Sequence, residues 1–425
     1  MSASSGALDR KLGVGDAVVI GLGSMIGAGV FAVFGPAAAA AGTGLLVGLL
    51  IAAVIAFCNA TASAQLAAVY PVSGGTYVYG RERLGSWWGF TAGWGFVIGK
   101  TASCAAMALT VAAYAVPGPW WLQRAVAVLA VLGLAALNCR GVTRTVTLTR
   151  VLVTVSLTAL ATVVLVIAVG SRDASLRPEE WSALGSGGVH GILQSAGLLF
   201  FAFAGYARIA TMGEEVRDPA RTLPRAIPIA LGIAVVVYLV VGGAALLAAG
   251  PERLASADAP LTAALGAVGG GGFGWVVRIG AVAAGLGALL ALLTGIGRTS
   301  LAMAREGDLP GWLAVVHPRF LVPQHAEVAL AVVVSAIVLT ADLRGAIGFS
   351  SFGVLVYYAI ANASALTQPA DQRRWPRGLH VLGLVGCCVL VATLPWSSIV
   401  AGSSVMVVGL VGRLLVIRRR GAVTP

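Results

Sequence analysis

Apolar residues run along this chain in blocks of about twenty, each closed by a short stretch carrying Arg, Asp, Gly or Pro. A block of that length, wound as an α-helix, crosses the roughly 30 Å hydrocarbon core of a bilayer. The blocks predict twelve membrane helices, centred on 16–40, 43–69, 88–114, 121–138, 148–170, 190–212, 226–249, 275–300, 327–341, 346–366, 378–394 and 397–416. No intervening loop is long enough for a separate soluble domain. No cleavage signal precedes the first block, so MSASSGALDRKLG is expected to be a retained, cytoplasmic N-terminus. The expected fold class is an all-α polytopic membrane protein.

Within this pattern the first block is anomalous. GLGSMIGAGVFAVFG is almost wholly apolar yet has glycine at positions 21, 23, 27, 29 and 35. Each interior glycine weakens a helix by about 1 kcal/mol relative to alanine. Gly23 and Gly27 could serve only as a small-xxx-small packing pair. Against that, the glycines spread around the helix, Ser24 sits among them, and the densest part falls a third of the way into the span. Irregular backbone at membrane depth is tolerated only where it is buried in protein or lines a watery cavity. There its freed N–H and C=O groups can bind a ligand, and the half-helix that follows can hold a carboxylate at its positive end. Secondary transporters place such breaks at matching positions of two repeats. A partner break is therefore expected five spans later, where GILQSAGLLFFAFAGYARIATMGEEVRDP sets Gly197 and Gly205 around Phe200, Phe201 and Phe203.

Composition agrees with the pattern: of 425 residues, 58% are hydrophobic and 10% charged, with a mean hydropathy of +0.93, far from a soluble chain. The net charge of +12 reports topology rather than a nucleic-acid partner. With the N-terminus inside, only Arg124, Arg172, Arg177, Arg253, Arg278 and Arg344 fall on the outer side, and Lys100 lies within a span. All the other Lys and Arg face inward, which fits the positive-inside rule with both termini cytoplasmic and in reach of anionic lipid headgroups. Cys58, Cys104, Cys139, Cys387 and Cys388 show no metal-ligand spacing, and the adjacent Cys387 and Cys388 read as small core residues. Four histidines argue against a metal centre, and no nucleophile–base set or phosphate loop suggests an enzyme or a cofactor.

Four motifs resemble those of the amino acid–polyamine–organocation (APC) permeases. They are GLGSMIGAGVF, PVSGGTYVYGRERLGSWWGFTAGW over 71–94, FFAFAGYARIATMGEEVRDPARTLPRAI over 200–227, and RTSLAMAREGDLPGWLAVVHPRF over 298–320. The third is most similar to the cationic amino acid transporter branch. The resemblance implies a LeuT-like five-plus-five inverted repeat, with helices 1–5 over 1–170, helices 6–10 over 190–366, and two further helices over 378–416. It implies discontinuous helices 1 and 6 and alternating-access transport of amino acids or amines across the plasma membrane. On the matching positions it assigns Ser24, Met25, Ile26, Gly27, Ala28 and Gly29 to an unwound segment. The amides of that segment hold the substrate carboxylate, and its carbonyls take the amino group. Phe201 matches the aromatic residue that closes over the substrate, and Ala204 and Gly205 match the sixth-helix break. Two departures stand out. Ala207, beside Arg208, replaces an acidic residue of many relatives. Ser156 aligns near a lysine of many proton-coupled relatives, so that lysine is missing. H+ and Na+ both stay open as coupling ions. Thr294, Thr299 and Ser300 could offer oxygens to Na+ or simply bond back to their own helix.

Charges inside the spans narrow the substrate. Lys100 lies about 20 Å into the third span, too deep to snorkel easily, and is expected to take part of the missing lysine's task. Simple pairing with helix carbonyls or water is the plainer alternative. None of the sixteen carboxylates falls in the central third of a span: Asp16 starts the first, Glu214 and Glu215 end the sixth, and Glu327 and Asp342 flank the ninth. A cationic substrate side chain would want a carboxylate beside it. A neutral amino acid is therefore expected over a cationic one or a polyamine, the alternatives being a polyamine or cationic amino acid exchanger and a non-transporting sensor. Glu214 and Glu215, with Arg217, Asp218 and Arg221, are expected to form a cytoplasmic cluster, either a clamp or a gate. Arg208 is expected to line the inner exit path or contact those acids, and Trp87 and Trp88 to anchor the interface.

Overall fold

The computed structural model describes residues 12–71, 74–140, 146–170, 187–210, 216–320 and 322–421. Regular structure there is helical, save one isolated parallel bridge between Leu12 and Val216. The expected first span becomes α1 (Val14–Met25), α2 (Ala28–Ala32) and α3 (Phe34–Ala41), and the second is α4 (Leu45–Val69). Next come α5 (Thr76–Leu84), α6 (Ser86–Ala115), α7 (Trp120–Cys139) and α8 (Val146–Gly170). The sixth span is α9 (Gly188–Phe203), a 3-10 turn at Ala204–Tyr206, and α10 (Ala207–Ala210). The remainder is α11 (Pro219–Ser256), α12 (Pro260–Ala267), α13 (Gly274–Arg305), α14 (Gln324–Thr340), α15 (Leu343–Leu366), α16 (Arg377–Thr393) and α17 (Trp396–Gly421).

Ten helical stretches among the described residues are long and apolar enough to cross a membrane, and α14 and α16 are shorter apolar helices. At 17 residues each, the short pair reaches about 25 Å. The chain is a multi-pass membrane protein built of helices. It departs from the sequence reading in three places. α5 occupies a stretch left as a loop, because its nine residues hold no apolar run. α11 runs well past the expected 226–249 at both ends, starting on Pro219 at a position where proline is favourable and turning at Gly250, φ 70°. Cys387 is buried but Cys388 is exposed, since adjacent residues on a helix point to different faces.

Small residues set how closely the central helices approach. A Cβ on Gly353 of α15 would lie 2.6 Å from the Gly95 carbonyl oxygen and 2.9 Å from Gly99 Cα, so α6 and α15 cross backbone to backbone. One turn on, the hydroxyls of Ser103 and Ser350 are 2.6 Å apart. Lys100, beside Gly99, is held at that depth with 5% of its surface exposed. Elsewhere Asn362 Nδ2 donates to Asn59 Oδ1 at 2.6 Å, tying α15 to α4. Leu129, Leu165 and Val408 on α7, α8 and α17 turn outward, as a lipid-facing surface requires.

One end of the bundle is fastened by charge. Asp308, just past α13, meets Arg81 of α5 at 3.5 Å and Arg413 of α17 at 3.0 Å, and Arg81 also reaches Glu306 at 2.9 Å. Tyr77 donates to Asp308 at 2.9 Å. Burial, then that hydrogen bond, pushes the Tyr77 hydroxyl above its ordinary value. Arg413 also lies over the Trp87 and Phe90 rings, 4.7 and 4.8 Å from their centroids. Separately, the Arg217 amide donates to the Leu12 carbonyl at 2.9 Å, and Asp16 of α1 pairs with Arg150 of α8 at 2.5 Å.

The α6–α15 crossing makes a direct test. Gly353→Ala is expected to destabilise the purified protein by about 1–3 kcal/mol, because the contacting atoms are backbone and cannot yield cheaply. Gly243→Ala, whose added Cβ meets nothing within 4 Å, should leave the thermal midpoint unchanged or slightly raised. Intrinsic fluorescence during heating measures both.

Candidate functional site

The first break lies where the glycines cluster. α1 stops at Met25; Ile26 (φ −80°, ψ 40°) and Gly27 (φ −81°, ψ −159°) leave helical geometry before α2 begins. The glycines here admit close neighbours: a Cβ on Gly27 would lie 2.6 Å from Ala288 Cβ, and one on Gly29 would lie 3.1 Å from Ala202 Cα. In the sixth span α9 gives way after Phe203 to the tighter turn Ala204–Tyr206. A Cβ on Gly205 would fall 2.3 Å from the Ser24 carbonyl oxygen and 2.6 Å from the Met25 nitrogen. The two breaks therefore touch, backbone against backbone, and only glycine fits at 205.

Side chains from other helices satisfy the backbone that the breaks release. The Tyr238 hydroxyl of α11 lies 2.5 Å from the Met25 carbonyl and 3.0 Å from that of Ala202, donating to one at a time. Lys100 Nζ donates to the Ala204 carbonyl at 3.1 Å, and the Tyr358 hydroxyl is 3.5 Å from the same oxygen. Further along, Tyr114 donates to the Phe31 carbonyl at 2.8 Å and accepts from the Leu261 amide at 3.3 Å. Lys100 thus has the carbonyl partner of its plainer reading, but the carbonyl belongs to the second break.

Around the contact is a cavity of about 80 Å³, room for two or three waters. Ser24, Lys100, Phe201, Ala204, Gly205 and Arg208 line it, so the structure brings these six together. Arg298 and Thr299 of α13 join them, and no carboxylate among the described residues does. Met25 and Ile26 are buried at the break, while Gly27 and Gly29 face neighbouring helices. Ala28 contributes backbone at the start of α2.

Ser156 lies apart from the cavity, its hydroxyl bonded to the Leu152 carbonyl of its own helix at 2.7 Å. Thr294 and Thr299 bond back to Leu290 and Gly295 at 2.9 and 3.1 Å. Glu214 and Glu215 lie outside the described residues; of their expected cluster, Arg221 and Asp218 form an exposed pair at 3.6 Å. A larger hollow of about 660 Å³, which Ser300 borders, lies among α6, α14, α15 and α17. Trp94, Leu330, Phe349 and Val405 make its apolar walls, with Thr101, Asp342 and Ser398 among the polar residues at its edge. Sequence reasoning missed Arg298, counted as a loop charge, and Glu327, counted as a flank although it is fully buried. The adjoining Gly297 was the available signal.

Removing the donor that spans both breaks should be costly. Tyr238→Phe is expected to destabilise by about 1–3 kcal/mol, because the buried carbonyls of Met25 and Ala202 lose the one donor they share. Gly205→Ala should fail to yield folded protein. Size-exclusion profiles and thermal midpoints in detergent check both expectations.

A family model described as amino acid permease matches residues 12–415. An uncharacterized transporter of Mycobacterium tuberculosis is 60% identical over 402 residues, 95% of this chain and 90% of its own length. The branched-chain amino acid permease of Bacillus subtilis is 26% identical across 97% of this chain and 94% of its own. A chloroplastic cationic amino acid transporter of Arabidopsis thaliana is 28% identical across 90% of this chain and 70% of its own. The matched region includes both facing breaks and every helix that supports them, and the chain belongs to the amino acid permease family of the APC superfamily.

Proposed function

We propose that this chain is a secondary active permease of the plasma membrane that carries a neutral amino acid by alternating access, with the five-plus-five repeat its sequence resembles. The observation that carries this reading is the cavity between the two breaks, edged among the described residues by three cationic side chains and no carboxylate. A cationic side chain bound there would meet the like charges of Lys100, Arg208 and Arg298. Phe96, Met107, Phe201 and Leu292 supply apolar wall instead. The branched-chain permease among the relatives fits such walls better than the cationic transporter does.

In this reading the substrate carboxylate takes the amides at the start of α2, where the half-helix dipole favours negative charge. The ammonium takes carbonyls of the two breaks. One of these, that of Ala204, is held by Lys100, so an incoming amine must displace a like charge. That exchange gives Lys100 part of the role of the fifth-helix lysine replaced by Ser156. Two or three waters' worth of space is less than an amino acid needs, so the walls must part to admit one.

Counterflow in proteoliposomes, preloaded in turn with each common amino acid and with putrescine, tests the reading without knowledge of the driving ion. Leucine, isoleucine, valine or alanine should exchange faster than arginine or putrescine. Stronger competition by arginine than by leucine would overturn the charge argument. Lys100→Gln should cut uptake by about tenfold or more, since it replaces a charged hydrogen bond at the second break with a neutral one. Full uptake with unchanged pH dependence would remove Lys100 from the mechanism.

A further inference from the structure

Glu327 is buried, with 1% of its surface exposed. It sits in the first turn of α14, and its carboxylate lies directly on α13. A Cβ on Gly297 would come 2.4 Å from Glu327 Oε1, so glycine there makes the seat for the acid. The other oxygen, Oε2, has no hydrogen-bond partner. The side-chain amide of Asn138 of α7 stands beside the carboxylate, and its Oδ1 lies 3.3 Å from the Thr294 hydroxyl.

Four neighbours pack against α14: α6, α7, α13 and the turn Gly311–Ala314. From α13 the acid faces the charge of Arg298. The thiols of Cys139 on α7 and Cys104 on α6 lie within reach of its own charge. The turn carries no charged residue. On α14 itself, His325 is turned away to the Trp312 carbonyl at 3.0 Å. Arg298 is therefore the facing cation, and it also lines the cavity between the breaks.

An ionised carboxylate with an unpartnered oxygen in such a site costs several kcal/mol unless a cation stands against it. A substrate carboxylate entering the cavity offers Arg298 a second anion. We propose that Glu327 is a proton-binding site linked to substrate through Arg298. As Arg298 turns toward the substrate carboxylate, one proton from the aqueous phase joins a Glu327 oxygen and keeps the buried site neutral. When substrate leaves, Arg298 returns and the proton departs to water on the side then open. The linkage is reciprocal, so a proton gradient drives substrate accumulation. This inference rests on the permease reading above.

Proteoliposomes holding the full chain, with leucine as probe, separate the two. Wild-type protein should show leucine counterflow and accumulate leucine on an acid-outside gradient. Glu327→Gln should keep counterflow at a reduced rate while gradient-driven accumulation falls by about tenfold or more. Its uptake should also be flat with pH. Accumulation by Glu327→Gln equal to wild type would overturn the proposal and leave the permease standing. Absence of counterflow with every common amino acid in the wild type would fell the permease reading first. Should Glu327→Gln not fold, the unmutated protein suffices. An apolar carbodiimide, which reacts with protonated buried carboxyls, should label Glu327 more strongly with leucine present, as read by peptide mass spectrometry. Labelling indifferent to leucine would overturn the proposal.

Discussion

Peptide groups inside a membrane must be paired within the protein or face a watery cavity, and this chain breaks two helices where they meet. Their carbonyls are met by side chains from elsewhere: Tyr238 for Met25 and Ala202, Lys100 for Ala204, Tyr114 for Phe31. Each such bond contributes only about 0.5–1.5 kcal/mol net, but an orphaned partner costs more. The site is therefore stabilised by helices that do not carry the breaks. Gly205 against the Ser24 carbonyl lets both breaks share those partners.

The rest of the architecture serves that contact. α6 crosses α15 at backbone distance through Gly95, Gly99 and Gly353, which fixes the depth of Lys100. α13 packs Ala288 against Gly27 on one side and seats Glu327 on Gly297, with Arg298 lining the cavity. Small residues thus act at a distance: each close approach places a charged group at a set height. The sum is a cavity edged by Lys100, Arg208 and Arg298, with the buried Glu327 behind it.

Sequence made part of this legible, and the divide has a physical cause. Five glycines in one apolar block are a local signal, so the first break was readable directly. Gly205 and Phe201 became readable only through the spacing of a repeated pattern. Lys100 stood out because a lysine deep in an apolar block has no ordinary explanation. Arg298 and Glu327 sit near the ends of their blocks, where a hydropathy pattern reads any charge as interfacial. Their burial is decided by neighbours on other helices, and no window along the chain contains those. The same holds for Tyr238, whose acceptors lie on α1 and α9, and for the Arg81–Asp308–Arg413 cluster, which joins three distant segments. α5 escaped notice because it is neither apolar nor long.

The bridge between Leu12 and Val216 has a kinematic consequence. It joins the approach to α1 with the approach to α11, and the Asp16–Arg150 pair adds α8 to the same junction. A segment pinned at two places has few independent degrees of freedom. A tilt of the first half-helix would pull on the chain entering α11 and on α8, so the three elements at that end are mechanically coupled.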